Sequence, residues 1–210
     1  MESSSLKLYL VTDRGIAAGR DIAEIVTEAV RGGVTMVQLR EKDIDTREFV
    51  ALALRLKEVL GPLGVPLIIN DRVDVALASD ADGVHIGQSD MPYAIARRLL
   101  GSGKIIGLSV ENFAQIEEAN ALDVDYIGVS PVFATPTKTD TAAPFGIEGL
   151  RRASRESCHP VVAIGGMNEW TAARAVSAGA DGIAVVSAIM GAESPFDAAA
   201  RLVRIIEKKV

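Results

Sequence analysis

Cysteine is almost missing from this chain: there is one, Cys158, among 210 residues. An intrachain disulfide is therefore excluded, and one cysteine with two histidines is too few for a zinc cluster. Cys158 precedes His159 and Pro160, just ahead of an apolar run, and reads as a free structural thiol rather than a nucleophile. Aromatic residues are scarce too, at 4% against 49% hydrophobic. The core must therefore be aliphatic, which suits parallel sheets of Val, Ile, Leu and Ala. Excess positive charge is absent, the formal net charge being −6. That argues against nonspecific nucleic-acid binding but leaves room for a local basic pocket. No apolar run approaches the roughly 20 residues of a membrane-spanning helix. The start, Met-Glu-Ser-Ser-Ser-Leu-Lys, lacks a signal-peptide stretch. The expectation is a soluble, cytoplasmic protein whose partners are small molecules, with no nucleic acid and no membrane. A homo-oligomer is compatible with the sequence but not specified by it.

What is present is alternation. Short aliphatic runs sit at residues 8–11, 36–39, 67–69, 83–86, 105–108, 126–129, 161–164 and 183–186. Amphipathic stretches lie between them. From Asp21 to Arg31, the residues Ile22, Ile25, Val26, Ala29 and Val30 fall on one helical stripe. A last helix begins at Ser194-Pro195, a capping serine followed by proline at the first helical position. Ala81-Asp82-Gly83-Val84 is echoed by Ala180-Asp181-Gly182-Ile183 and more loosely by Val124-Asp125-Tyr126-Ile127. The echoes suggest a repeated βα unit; a common turn before a parallel strand is the plainer reading. Strand–helix alternation implies parallel strands with right-handed crossovers. Eight such units fit an α/β fold, a (β/α)8 TIM barrel spanning residues 1–210, with an open doubly wound sheet as the competitor. In a barrel, function gathers at the C-terminal strand ends.

Those ends carry polar chemistry. Gln38, Arg40 and Lys42 alternate after Met36 and tend to one face, making an anion clamp of amide, fork and point charge. A solvated edge, salt-bridged to Glu41 or Asp43, is the alternative. Asp71 and Asp90 follow neighbouring strands. Two carboxylates with phosphate oxygens and water describe a Mg2+ site; helix capping is the alternative for each. Ser109 is placed to donate to an anion or to a loop backbone. His85 lies within a strand and reads as a packed or hydrogen-bonded core residue. Thr135, Pro136, Thr137 and Lys138 form a stiffened, donor-rich loop, expected to be a mobile lid at 131–146. Gly165-Gly166 and Ser187 end the last two strands, where barrels often bind phosphate.

The runs Tyr9-Leu-Val-Thr-Asp, Gln38-Leu-Arg-Glu-Lys, Asn70-Asp-Arg, Asp82-Gly-Val-His-Ile-Gly-Gln, Gly128 through Lys138, Ala163-Ile-Gly-Gly and Val185-Val-Ser-Ala-Ile occur in order. Together they resemble the thiamine phosphate synthase family over nearly the whole chain. The resemblance implies a (β/α)8 barrel and a transferase that joins aminomethylpyrimidine diphosphate to hydroxyethylthiazole phosphate, releasing pyrophosphate. It implies Mg2+ as cofactor, held by Asp71 and Asp90, and a pyrimidine carbocation trapped by the thiazole nitrogen. Gln38, Arg40, Lys42, Asn70 and Lys138 would hold the diphosphate, Ser109 would contact the leaving group, and Tyr9 would lie near the reacting ring. Thr135, Thr137, Gly166, Val186 and Ser187 would surround the thiazole phosphate. The related thiazole tautomerases carry histidine where this chain has Glu111 and tend to lack the clamp. A tautomerase-like isomerase and a non-catalytic phosphate sensor are the alternatives.

Overall fold

The computed structural model describes residues 3–134 and 143–208. Eight strands appear in chain order: β1 (Leu8–Val11), β2 (Met36–Leu39), β3 (Leu67–Asn70), β4 (Gly83–Ile86), β5 (Ile105–Val110), β6 (Tyr126–Val129), β7 (Val161–Ile164) and β8 (Gly182–Val185). All neighbours pair in parallel, and β1 pairs with β8 through Leu8↔Ile183 and Tyr9↔Ala184. That pairing closes the sheet into a barrel and removes the open-sheet alternative. Three strands differ in their limits from the sequence reading. β3 takes in Asn70 because it pairs with His85. β5 continues through Ser109 and Val110, which pair with Gly128 and Val129. β8 begins one residue early, at Gly182, which pairs with Val162, and ends one residue early, at Val185.

The helices are α1 (Arg14–Ala17), α2 (Ile22–Arg31), α3 (Thr46–Leu60), α4 (Val73–Ala78), α5 (Tyr93–Leu100), α6 (Phe113–Asn120), α7 (Gly146–Glu156), α8 (Ala172–Ser177), α9 (Ser187–Met190) and α10 (Pro195–Glu207). Their limits follow local chemistry. Asp21 caps α2 by accepting from the backbone N–H of Ala23 and Glu24, satisfying donors that a helix start leaves unpaired. The expected stripe is its inner face, with Ile22, Ile25, Val26 and Ala29 buried. Ser194 caps α10 through Asp197 N–H at 3.2 Å, with Pro195 at the first turn. Among the described residues, no helix is long and apolar enough to cross a membrane.

The repeated Asp-Gly echoes have a mechanical role. Asp82, Asp125 and Asp181 each accept a 2.8 Å hydrogen bond from the first or second residue of the strand next door: Leu67, Ile106 and Val161 N–H. Thr35, before β2, accepts from Leu8 N–H at 3.0 Å in the same way. A polar residue ahead of each even strand thus ties the start of the odd strand beside it. This pins the register at the barrel's N-terminal end, where the backbone would otherwise hold unpaired donors.

Alternation of side chains then produces two cores. Leu8, Leu10, Val37, Leu39, Leu67 and Ile69 face outward and pack under the helices. Tyr9, Met36, Ile68, Tyr126, Val162 and Ala184 face inward and fill the barrel. Each such fully buried large side chain stabilises the fold by about 1.5–3 kcal/mol relative to exposure. Towards the C-terminal strand ends, the inward positions turn polar: Gln38, Asn70, His85 and Ser109.

Candidate active site

Those polar positions line a cavity of about 990 Å³ at the C-terminal end of the barrel. Gln38, Arg40 and Lys42 all face it, as their alternation predicts. The intervening Glu41 turns the other way and pairs with Arg14 at 3.1 Å. The ion pairs of the clamp residues are not with Glu41 or Asp43, as the salt-bridged-edge alternative had it. Arg40 Nη1 lies 3.3 Å from Asp13 Oδ2, yet its side chain still lines the cavity. Its backbone N–H is fixed by Thr12 Oγ1 at 3.0 Å.

Beside the clamp stand Asp71 and Asp90. Neither caps a helix: the residue ahead of α4 is Arg72, that ahead of α5 is Pro92, and neither helix has a side-chain cap. Asp71 instead adopts a left-handed backbone with φ 60°, and its N–H donates to His85 O at 2.8 Å. Asp90 Oδ2 accepts from Gly87 N–H at 2.7 Å. Burial, together with the neighbouring Asp90 charge, pushes the Asp71 carboxyl up to about 6; Lys42 and Asn70 oppose the shift. Lys42 Nζ is 3.9 Å from Asp71 Oδ2.

The far wall comes from β7 and β8. Gly166 has φ 66°, and a Cβ there would sit 2.8 Å from Phe133 Cβ, so glycine lets the two loops touch. Val186 and Ser187 line the same wall. Thr171 Oγ1 donates to Gly166 O at 2.9 Å, and the Arg174 guanidinium lies 5.5 Å from the Phe133 ring centre. Thr135, Thr137 and Lys138, with residues 135–142 of the expected lid, lie outside the described residues.

The floor is a run of hydrogen bonds. Gln38 Nε2 donates to Tyr9 OH at 2.8 Å, and Tyr9 OH meets Tyr126 OH at 2.8 Å. Tyr126 OH meets His85 Nδ1 at 3.0 Å, and His85 Nε2 meets Ser109 Oγ at 2.8 Å. Burial raises the pKa of both phenols well above the usual range, so both keep their protons.

A family model described as thiamine monophosphate synthase matches residues 8–189. A thiamine-phosphate synthase of Albidiferax ferrireducens is 56% identical over 97% of this chain and 93% of its own length. One from Vibrio parahaemolyticus is 52% identical over 97% of this chain and 100% of its own. A solved thiamine phosphate pyrophosphorylase from Pyrococcus furiosus superposes with TM-score 0.91 at 40% identity, covering 99% of this chain and 98% of that one.

This chain belongs to the thiamine monophosphate synthase family.

The donor set suits a hard cation of the kind the family resemblance implied. Two carboxylates face each other, with the Asp71 carboxyl raised by burial and by the neighbouring Asp90 charge, and a divalent ion relieves that repulsion. Among the described residues, no group of three His, Cys, Asp or Glu gathers as a metal cluster. Among the cavity residues that escaped the sequence reading are Tyr126, Arg174 and, as a cavity group, His85. His85 is hydrogen-bonded, as read, but it is half-exposed to the cavity and not packed away. Its signal was a polar side chain at an inward strand position beside glycine-rich neighbours. Arg174 sits on α8, where an amphipathic pattern hides its reach. Cys158 is exposed, in the turn before β7 and remote from the strand ends that form the cavity.

Proposed function

We propose that this chain catalyses the Mg2+-dependent condensation of 4-amino-2-methyl-5-(diphosphooxymethyl)pyrimidine with 4-methyl-5-(2-phosphooxyethyl)thiazole, giving thiamine phosphate and pyrophosphate. The observation that carries the reading is one cavity holding a cationic clamp beside two facing carboxylates, in a chain of this family. Gln38, Arg40, Lys42 and Asn70 bind the diphosphate, with Lys138 joining them from the loop. Asp71 and Asp90 hold Mg2+, which when bound supplies charge compensation to the diphosphate.

The bond between the pyrimidine methylene and the diphosphate oxygen breaks, and the oxygen keeps the electron pair. Arg40 and Lys42 stabilise the charge that grows on that oxygen, in a site where fixed cations act without reorganising. Ser109 contacts the leaving group. Tyr9 contributes to the floor beneath the reacting ring. The thiazole nitrogen then donates its lone pair to the methylene carbocation, forming the new C–N bond. No protein nucleophile takes part. Thr135, Thr137, Gly166, Val186 and Ser187 hold the thiazole phosphate, so that its nitrogen faces the methylene.

The test incubates purified protein with Mg2+ and both heterocycles, following thiamine phosphate and pyrophosphate by chromatography. Both products are expected in equal amounts, and neither when EDTA is added or either substrate is omitted. Folded protein that forms no product would overturn the reading. Conversion of a thiazole carboxylate phosphate tautomer by that same protein would favour the isomerase.

A further inference from the structure

The hydrogen bonds on the cavity floor have a direction. Gln38 Nε2 is a donor, so Tyr9 OH accepts from it. The Tyr9 proton is then left with Tyr126 OH as its acceptor. The Tyr126 proton must go on to His85 Nδ1. A neutral imidazole that accepts at Nδ1 carries its proton at Nε2, and here it donates that proton to Ser109 Oγ. Reversing the run would bring two protons to one contact or strand a phenol proton in the floor, where an unmade hydrogen bond is costly. Ser109 is thus an acceptor towards His85, and its own O–H turns to the cavity that it lines.

The surroundings hold this run in place. The Tyr126 and His85 rings stack at 5.5 Å between centroids and 28° between planes, and Tyr9 meets Tyr126 edge-on at 5.9 Å. Gly107 makes the room: a Cβ there would lie 2.1 Å from Tyr126 Cζ and 2.6 Å from His85 Nδ1. Ser109 is also held by its carbonyl, which accepts from Gln88 Nε2 at 2.6 Å.

We propose that His85 is a positioning residue for the condensation: the run Gln38, Tyr9, Tyr126, His85 fixes its tautomer, and His85 thereby presents the Ser109 hydroxyl to the bound pyrimidine diphosphate as a hydrogen-bond donor. The inference rests on the synthase reading and adds to it the state of one hydroxyl. The acceptor is an oxygen or ring nitrogen of that substrate. His85 itself acts through Ser109.

The test is a double-mutant cycle on the complete enzyme. Steady-state kinetics are measured for the unsubstituted protein, His85→Phe, His85→Gln, Ser109→Ala and the double variant Ser109→Ala/His85→Phe. Circular dichroism and thermal melting check each for folding. His85→Phe is expected to lower kcat about tenfold, the scale of one misdirected hydrogen bond in a transition state, with KM changed little. His85→Gln, whose amide N–H reaches towards Ser109, is expected to recover most of that loss. In the Ser109→Ala background, His85→Phe should cost nothing further, because there is no hydroxyl left to direct. Should His85→Phe fail to fold, Tyr126→Phe on the same two backgrounds carries the test, since it removes the proton that sets the tautomer. Losses that multiply in the double variant, or unaltered kcat in folded His85→Phe, would overturn the inference. Failure of the synthase reading looks different: the unsubstituted protein would itself form no product.

Discussion

Replacing Asp71 by asparagine should stabilise the protein while abolishing its turnover. The side chain keeps its shape and loses one of two facing negative charges. The left-handed backbone at φ 60° suits asparagine, which adopts that region more readily than most residues. The Asp71 carboxyl is raised from 3.8 to about 6, and each unit corresponds to about 1.4 kcal/mol. The ceiling is therefore about 3 kcal/mol, which solvent screening of the partly exposed group and loss of the Lys42 contact reduce to about 1–2 kcal/mol. For a chain of this size, that is a rise in Tm of about 3–6 °C. The pH dependence gives the argument its sign. A group whose folded value is raised contributes stability that is complete below its unfolded value, 3.8, and lost as pH rises through about 6. The unsubstituted protein thus carries the full cost at neutral pH, whereas Asp71→Asn does not. Thermal unfolding in EDTA, followed by circular dichroism, should show the variant more stable at pH 7.5, with a gap that narrows on acidification and closes near pH 4. Mg2+ with pyrophosphate should raise the melting point of the unsubstituted protein more than that of the variant. A variant that melts no higher at pH 7.5, or a gap that ignores pH, would refute the facing-carboxylate account.

Other predictions follow from single contacts. Arg40→Ala should lower turnover by about 10- to 100-fold, the worth of a charge-assisted hydrogen bond, with a melting temperature close to the original; Lys138→Ala should lose most turnover as well. Near-normal rates in both would remove the clamp from the mechanism. Ser194→Ala deletes the cap of α10 and should cost about 1 kcal/mol in urea unfolding, with turnover unchanged. Gly107→Ala drives a methyl into Tyr126 and should cost about 1–3 kcal/mol or more, lowering the melting temperature and kcat together.

Much of this molecule is written in local pattern. The eight aliphatic runs, the stripe from Ile22 to Val30 and the Ser194-Pro195 start are local consequences of side-chain period and backbone capping, so they are legible without a fold. The alternation of Gln38, Arg40 and Lys42 is likewise local, since a strand turns successive side chains to opposite faces. The Asp-Gly echoes were visible as a repeat. Their purpose was not, because the N–H groups that Asp82, Asp125 and Asp181 accept from lie 15 to 20 residues away.

What the tertiary structure decided is which strand ends meet. The sequence alone established alternating strands and helices, a charged clamp and the order of motifs that marks the family. Closure depended on β1 finding β8, a pairing between chain ends that no local window contains. The capping alternatives for Asp71 and Asp90 could be set aside only when the loops had conformations, one of them left-handed. The floor of the cavity is the plainest case. Tyr9 and Tyr126 are 117 residues apart, yet their hydroxyls touch. Each looks like an ordinary core aromatic in its own strand, and only barrel closure brings them to one level beside His85. Periodicity says which face a side chain takes; the stagger of a closed sheet says what it meets there.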